Sequence, residues 1–162
     1  MPARAVPKQF FVINTTAYKN WVTDFDKEIK NGNAYFAVVV LDLNDLKETN
    51  DTYGHDLGDK LIVNAAKAIS VVFKRSPVFR IGGDEFVVIL RQNDLDSCEE
   101  LLARLDAMCK NTFIDEKSEL SISIARGFAM FDPDNDFCFN DVFKRADNAM
   151  YENKRKNKKV TV

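Results

Sequence analysis

Apolar positions along the chain alternate between a helical and a strand-like period, and the switches between the two outline its elements. Tyr18, Trp21, Val22, Phe25 and Ile29 recur three or four residues apart, after the capping candidates Asn14, Thr15 and Thr16 and before the stop at Asn31-Gly32-Asn33. That spacing predicts a helix with one buried face. Residues 35–41 are continuously apolar and rich in β-branched and aromatic side chains. This is the pattern of a central strand covered on both faces, and it ends at Asp42. The polar stretch 44–58 reads as a loop or short helix. Leu61, Ile62, Ala65, Ala66, Ile69, Val72 and Phe73 then trace a second amphipathic helix, closed by Pro77.

Two β-prone runs, 77–81 and 86–90, flank Gly82-Gly83-Asp84-Glu85. They read as a hairpin whose glycines permit positive φ and let a ligand approach the backbone. Beyond it, Asp94 or Asp96 is expected to cap a helix that turns Leu101, Leu102, Leu105 and Met108 inward. Residues 120–131 alternate as a strand. Asp141 is expected to cap a last helix whose apolar side includes Val142, Phe143, Ala146, Ala149 and Met150. The order α, β, α, β, β, α, β, α contains the βαββαβ pattern of an α+β, ferredoxin-like or palm-type core, a central antiparallel sheet flanked by helices. Residues 1–13 read as a lead-in or linker, and 14–162 as a single domain.

Composition narrows this picture. A chain of 162 residues with 46% hydrophobic content suits one core. A net charge of -2 argues against a nucleic-acid partner, although Lys154, Arg155, Lys156, Lys158 and Lys159 crowd the C-terminus. Membrane contact is not expected, because no apolar run approaches the roughly 20 residues of a span. The start Met1-Pro2-Ala3-Arg4 lacks a signal peptide's apolar core, so the expected location is the cytoplasm. Cys98, Cys109 and Cys138 form no CxxC pair and are expected to be reduced, small apolar groups.

The chemistry is expected where the first strand lies beside the hairpin, which brings Asp42 close to Asp84. Carboxylates so placed bind a hard cation such as Mg2+ through oxygen. Phosphoryl transfer uses such a clamp to neutralise a triphosphate, activate a hydroxyl and stabilise the leaving pyrophosphate. The basic tail is a candidate grip for phosphates. A carboxylate at a strand end also serves as a turn residue or helix cap, and spacing alone leaves both readings open.

Gly82-Gly83-Asp84-Glu85-Phe86 resembles the signature of the GGDEF domain, the diguanylate cyclase catalytic domain. The segment from Leu41 to Asp59 is similar to that family's strand, phosphate loop and guanine-recognition segment. Arg145-Ala146-Asp147-Asn148-Ala149-Met150-Tyr151-Glu152-Asn153-Lys154 is similar to its last helix. The resemblance covers about residues 14–159 and makes 14–162 a single GGDEF catalytic domain. It implies condensation of two GTP into cyclic di-GMP with release of two pyrophosphates, by two protomers that face each other as a transient homodimer. It also implies a sensory or dimerising domain N-terminal to this one in the full-length protein.

The resemblance further implies site residues. Asp42, Asp84 and the Leu43 carbonyl would hold Mg2+ or Mn2+, with Asp84, Glu85 and Asp42 as the catalytic acids. Asn50 and Asp59 would read guanine, whose N1 and N2 hydrogens a carboxylate can accept. Leu46 and Lys47 would lie on the phosphate path, Gly82 and Gly83 would make room for the nucleotide, and Lys154 and Lys158 would contact phosphates. His55, the single histidine, is read as structural. In place of the family's inhibitory Arg-x-x-Asp stand Phe73 and Ser76, so product feedback through that site is expected to be absent. Pro7-Lys8-Gln9-Phe10 stands roughly where the family has Asp-x-Leu-Thr, and Ala125-Arg126-Gly127 departs from the commoner Ser-Ile-Gly. The alternatives are a degenerate GGDEF module that binds GTP as a regulatory domain without turnover, and another cyclase or polymerase-like palm.

Overall fold

Strand β1 (Ala37–Leu43) is the axis of the molecule, with β3 (Glu85–Leu90) antiparallel on one side and β6 (Ile124–Met130) antiparallel on the other. With β2 (Val78–Arg80) on the outer edge of β3, the sheet order is β2-β3-β1-β6. The computed structural model describes residues 14–115, 117 and 119–160, with side chains as far as Asn157. The expected lead-in, 1–13, and the side chain of Lys158 lie outside the described residues.

Alternation along β1 divides the core. Val39, Leu41 and Leu43, with Phe86, Val88 and Leu90, meet α3 (His55–Val72) and α5 (Cys98–Lys110). Val38, Val40, Val87 and Ile89 meet α1 (Thr15–Lys30) and α6 (Phe139–Val160) through Phe25, Phe139, Val142 and Ala146. The continuous apolar run of β1 thus reflects burial on both faces. Strand order and the placement of α3 and α5 on one face give the expected βαββαβ core, and α1 and α6 cover the other. At Gly127 in β6 an added Cβ would lie 2.1 Å from the backbone nitrogen of Met150, so α6 rests directly on the strand there.

Several local expectations need correction. Strand β1 starts at Ala37 and runs through Asp42 to Leu43, because Asp42 is paired in the ladder with Glu85 and Ala125, while Tyr35 lies outside and exposed. Stretch 44–58 folds into α2 (Leu46–Tyr53) and the start of α3, separated by Gly54 at φ 92. Few non-glycine residues adopt that conformation. Residues 120–131 are two strands: β5 (Leu120–Ser121) pairs with β4 (Phe113–Asp115) in a separate ribbon, and β6 begins at Ile124.

Asp94 does not cap α5. It lies buried in the short α4 (Gln92–Asp96), where its Oδ2 accepts the Ser76 hydroxyl at 2.6 Å, and Ser97 precedes α5 with no side-chain cap bond. Asp96 is likewise inside α4. Asp141 serves α6 from within the first turn, accepting the Phe137 and Cys138 amides, so the helix starts before it. Asn14 caps α1 as expected, accepting the Ala17 amide at 3.0 Å. Neither Gly82 nor Gly83 has positive φ. Cys98 and Cys109 are buried thiols, Cys138 is half-buried, and none is bridged. No described helix is long and apolar enough to cross a membrane.

Candidate active site

Antiparallel pairing sets Asp42 directly opposite Glu85, and residues so paired project to the same side of the sheet, here the α1/α6 side. Asp84 is the last residue of the hairpin turn. Its carbonyl accepts the Leu43 amide at 2.7 Å, so one backbone bond ties the turn to the end of β1. The acids come from segments some forty residues apart and are gathered by sheet register, as the hairpin reading expects. From α6, Lys154 donates its Nζ to Asp42 Oδ2 at 2.9 Å. Asp42 Oδ1 is buried and has no hydrogen-bond partner.

Electrostatics follow from this crowding. Burial lifts the Asp42 carboxyl above its ordinary range, the Lys154 hydrogen bond pulls it back, and the Asp84 charge pushes it up again. Lys154 is raised in turn, chiefly by its bond to Asp42. Glu85 is raised by burial first, then by Asp147, Asp42 and Asp84. Tyr18 of α1 is raised by burial and by Glu85. Tyr18 and Asp147 were not anticipated from sequence. Asp147 had a signal, since it lies two helical turns before Lys154 on the same face of α6, whereas nothing local marks Tyr18.

Glu85 carries a stability consequence with a definite sign. Its folded pKa lies above the unfolded value, so the ionised side chain costs stability at any pH above the folded pKa. That cost disappears as pH falls below the ordinary glutamate range. Glu85→Gln is expected to raise Tm at pH 8 by roughly 1 to 2 °C, a small gain because the group is partly solvated. Melting curves from pH 8 to pH 4 should show that gain shrink to nothing. A gain that grows on acidification would contradict the assignment.

A cavity of about 390 Å³ opens beside the acids, lined by Leu43, Asp45, Leu46, Lys47, Asp84 and Lys154 among others. It includes the N-terminus of α2, where the first intrahelical bond is Thr49 N–H to the Asp45 carbonyl. The amides of Leu46, Lys47 and Glu48 therefore have no partner within the helix, and such an end favours anions. At the other end of α2, Asn50 lies against Gly58 of α3. A Cβ added at Gly58 would sit 1.7 Å from Asn50 Oδ1, and that oxygen is buried without a partner. Asp59, next along α3, is exposed. His55 opens α3 and is also exposed.

Among the described residues no three His, Cys, Asp or Glu side chains form a ready metal cluster. The donor set still suits a hard divalent cation. An orphaned buried carboxylate oxygen beside a second carboxylate is an oxygen-rich, negatively charged site, and Mg2+ commonly takes one or two carboxylates and completes its shell with water and substrate phosphates. Phe73 and Ser76 are both buried, so neither side chain faces solvent beside the hairpin.

A family model described as the diguanylate cyclase GGDEF domain matches residues 17–160. The chain belongs to the GGDEF family. Its resemblance at the hairpin thus extends over the whole described fold. This GGDEF domain is 32% identical over 142 residues to diguanylate cyclase DosC of Escherichia coli strain K12, a match covering 83% of this chain and 30% of that protein. It is 32% identical over 120 residues to the bifunctional diguanylate cyclase/cyclic di-GMP phosphodiesterase MucR of Pseudomonas aeruginosa, covering 74% of this chain and 17% of that one. The chain therefore spans less than a third of either relative. Among solved structures, it is similar to the GGDEF domain of DgcB from Caulobacter crescentus in complex with c-di-GMP. There the TM-score is 0.79 and the identity 26%, over 90% of this chain and 85% of that one.

Proposed function

We propose that this GGDEF domain is a diguanylate cyclase, which condenses two GTP into cyclic di-GMP and releases two pyrophosphates. The observation that carries the reading is the orphaned Oδ1 of Asp42 beside Asp84, which lines a cavity edged by the α2 N-terminus. Asp42, Asp84 and the Leu43 carbonyl hold Mg2+ or Mn2+. Bound there, the cation neutralises phosphate charge and lowers the pKa of the attacking hydroxyl. Asp84 lies beside that hydroxyl, and Glu85 keeps the surrounding field negative so that cation binding is favoured. The Leu46 and Lys47 amides cradle the β- and γ-phosphates. Lys154 leaves Asp42 for the phosphates when nucleotide arrives, and Lys158 adds a second cation. Gly82 and Gly83 admit the nucleotide at the hairpin.

Asn50 and Asp59 select guanine. The partnerless Asn50 oxygen and the Asp59 carboxylate both accept, and guanine presents N1 and N2 hydrogens where adenine does not. Gly58→Ala tests this locally. The new methyl must displace the Asn50 amide, the movable end of a side chain, so the fold should persist while KM for GTP rises by roughly tenfold or more, the value of one good polar contact. An unchanged KM with unchanged preference for GTP over ATP would remove Asn50 from base recognition.

Two protomers face each other, and the 3′-hydroxyl of each GTP attacks the α-phosphate of the other. An N-terminal sensory or dimerising domain in the full-length protein would supply that encounter, in the cytoplasm where GTP is found. For the chain alone, specific activity should rise with protein concentration. Chromatography of concentrated protein with GTP and Mg2+ tests the whole reading: cyclic di-GMP is expected, and a monomeric cyclic nucleotide or an ATP preference would refute it. Added cyclic di-GMP is expected not to inhibit through the Phe73 and Ser76 position, since both side chains are buried there. Submicromolar inhibition reversed by substitution at those residues would show otherwise. A second reading, GTP binding without turnover, draws on the Lys154–Asp42 pair, which already neutralises one of the two carboxylates. It predicts tight GTP binding and no product.

A further inference from the structure

Arg80 ends β2 next to the hairpin tip, and among the described residues its guanidinium makes no hydrogen bond or ion pair to another element. It folds back on its own turn: Nε donates to the Gly82 carbonyl at 3.1 Å and Nη2 to the Gly83 carbonyl at 2.8 Å. A guanidinium presents donors in a rigid fork, so one side chain can hold two successive carbonyls at once. A trans peptide sets its N–H opposite its carbonyl. With both carbonyls facing Arg80, the amides of Gly83 and Asp84 are turned away from it, side by side. No described carbonyl accepts either of them. Two adjacent outward amides form an anion-binding concavity.

The same turn is held from the opposite side. Leu43 donates to the Asp84 carbonyl at 2.7 Å, and Ile81 and Gly82 donate to the Glu85 carbonyl at 3.0 and 3.4 Å. Neither glycine has the positive φ that would lock a tight turn locally, so the turn depends on these bonds for its shape. An added Cβ at Gly83 would meet nothing within 4 Å, and Gly82, Gly83 and Asp84 are all exposed, so the tip is open to solvent.

We propose that Arg80 is a positioning residue: by clamping the Gly82 and Gly83 carbonyls it presents the Gly83 and Asp84 amides to a phosphate oxygen and fixes Asp84 against β1. The proposal deepens the diguanylate cyclase reading and rests on it for the identity of the phosphate, which belongs to GTP. Arg80 itself touches no substrate. It is exposed, and its removal empties no core.

The test compares the full chain with Arg80→Ala and Arg80→Lys. Arg80→Ala is expected to melt within about 2 °C of the parent, as an exposed substitution does. Its kcat should fall by roughly 10- to 100-fold, the scale of a misplaced reacting group, with a smaller change in KM for GTP. Arg80→Lys should recover part of that loss, since an ammonium reaches one carbonyl at a time. Added methylguanidine should restore part of the Arg80→Ala rate. A second readout needs no turnover: hydrogen exchange at the Leu43 amide, bonded to the Asp84 carbonyl, should accelerate by roughly tenfold in Arg80→Ala. Parental kcat or parental Leu43 exchange in Arg80→Ala overturns the proposal. If the parent makes no product, the exchange decides alone: acceleration keeps the clamp while the cyclase reading fails, and no change removes both.

Discussion

Asp84→Ala is expected to abolish cyclic di-GMP formation while leaving the fold intact. The loss follows from removing one of the two carboxylates of the proposed cation site, the one beside the orphaned oxygen of Asp42. A cation held by Asp42 alone would lose several kcal/mol of charge stabilisation in the transition state, a fall in kcat of roughly 10³-fold or more. The fold persists because Asp84 is exposed and its structural bond, to the Leu43 amide, uses a backbone carbonyl that alanine keeps. Circular dichroism and Tm should match the parent. GTP should still bind, because Asn50, Asp59 and the α2 amides are untouched. A variant that retains even a tenth of the parental rate would show that Asp84 does not hold the cation.

The second large effect concerns stability. Gly127→Ala sets a methyl carbon 2.1 Å from the Met150 nitrogen and 2.5 Å from the Ala146 carbonyl oxygen. Both are helix backbone and cannot move aside singly. Helix α6 must lift from β6 as a body, and overpacking of this kind costs about 3 kcal/mol or more. For a domain of this size that is a fall in Tm of roughly 6 to 12 °C. Since α6 also carries Lys154 to Asp42, activity should fall below what the melting shift alone explains. Thermal denaturation of Gly127→Ala gives the answer, and a Tm within 2 °C of the parent would contradict the close approach. Gly127 stands where the sequence departs from Ser-Ile-Gly, and the one residue kept from that pattern is the one on which the helix rests.

The core and the acids were legible in sequence for a common reason: each is a strong local pattern. β1 is apolar on both faces, the hairpin is marked by paired glycines between strand runs, and Asn14 precedes a clean helical period. Boundaries were harder where polarity misleads. Asp42 looks like the end of a strand because it is charged, yet the ladder continues through it to Leu43. Residues 120–131 alternate without a break, but Ile122 and Ser123 separate a strand of the small ribbon from one of the main sheet. Asp94 looks like a cap and is instead a buried partner of Ser76, a contact between elements that no local rule reports.

The site shows the same division. Asp42, Asp84 and Glu85 could be named from their motif and expected to converge, and the ladder brings Asp42 and Glu85 face to face. Lys154 could be named as well, though its partner in the structure is Asp42, 112 residues away. Asn50 and Asp59 depend on the bend at Gly54, whose positive φ sets α2 against α3. Tyr18 escaped notice because its place beside Glu85 is set by how α1 lies across the sheet.

The acidic pair behaves like a vise with one fixed jaw. Asp42 is gripped on both sides, by Glu85 in β3 and Ala125 in β6, and cannot shift without breaking the ladder. Asp84 stands outside the ladder, on a turn tied to β1 by the single bond from the Leu43 amide to its carbonyl. On the proposed function, an ion of another radius would therefore be met first by the Asp84 side chain, because the backbone of Asp42 is held from both sides.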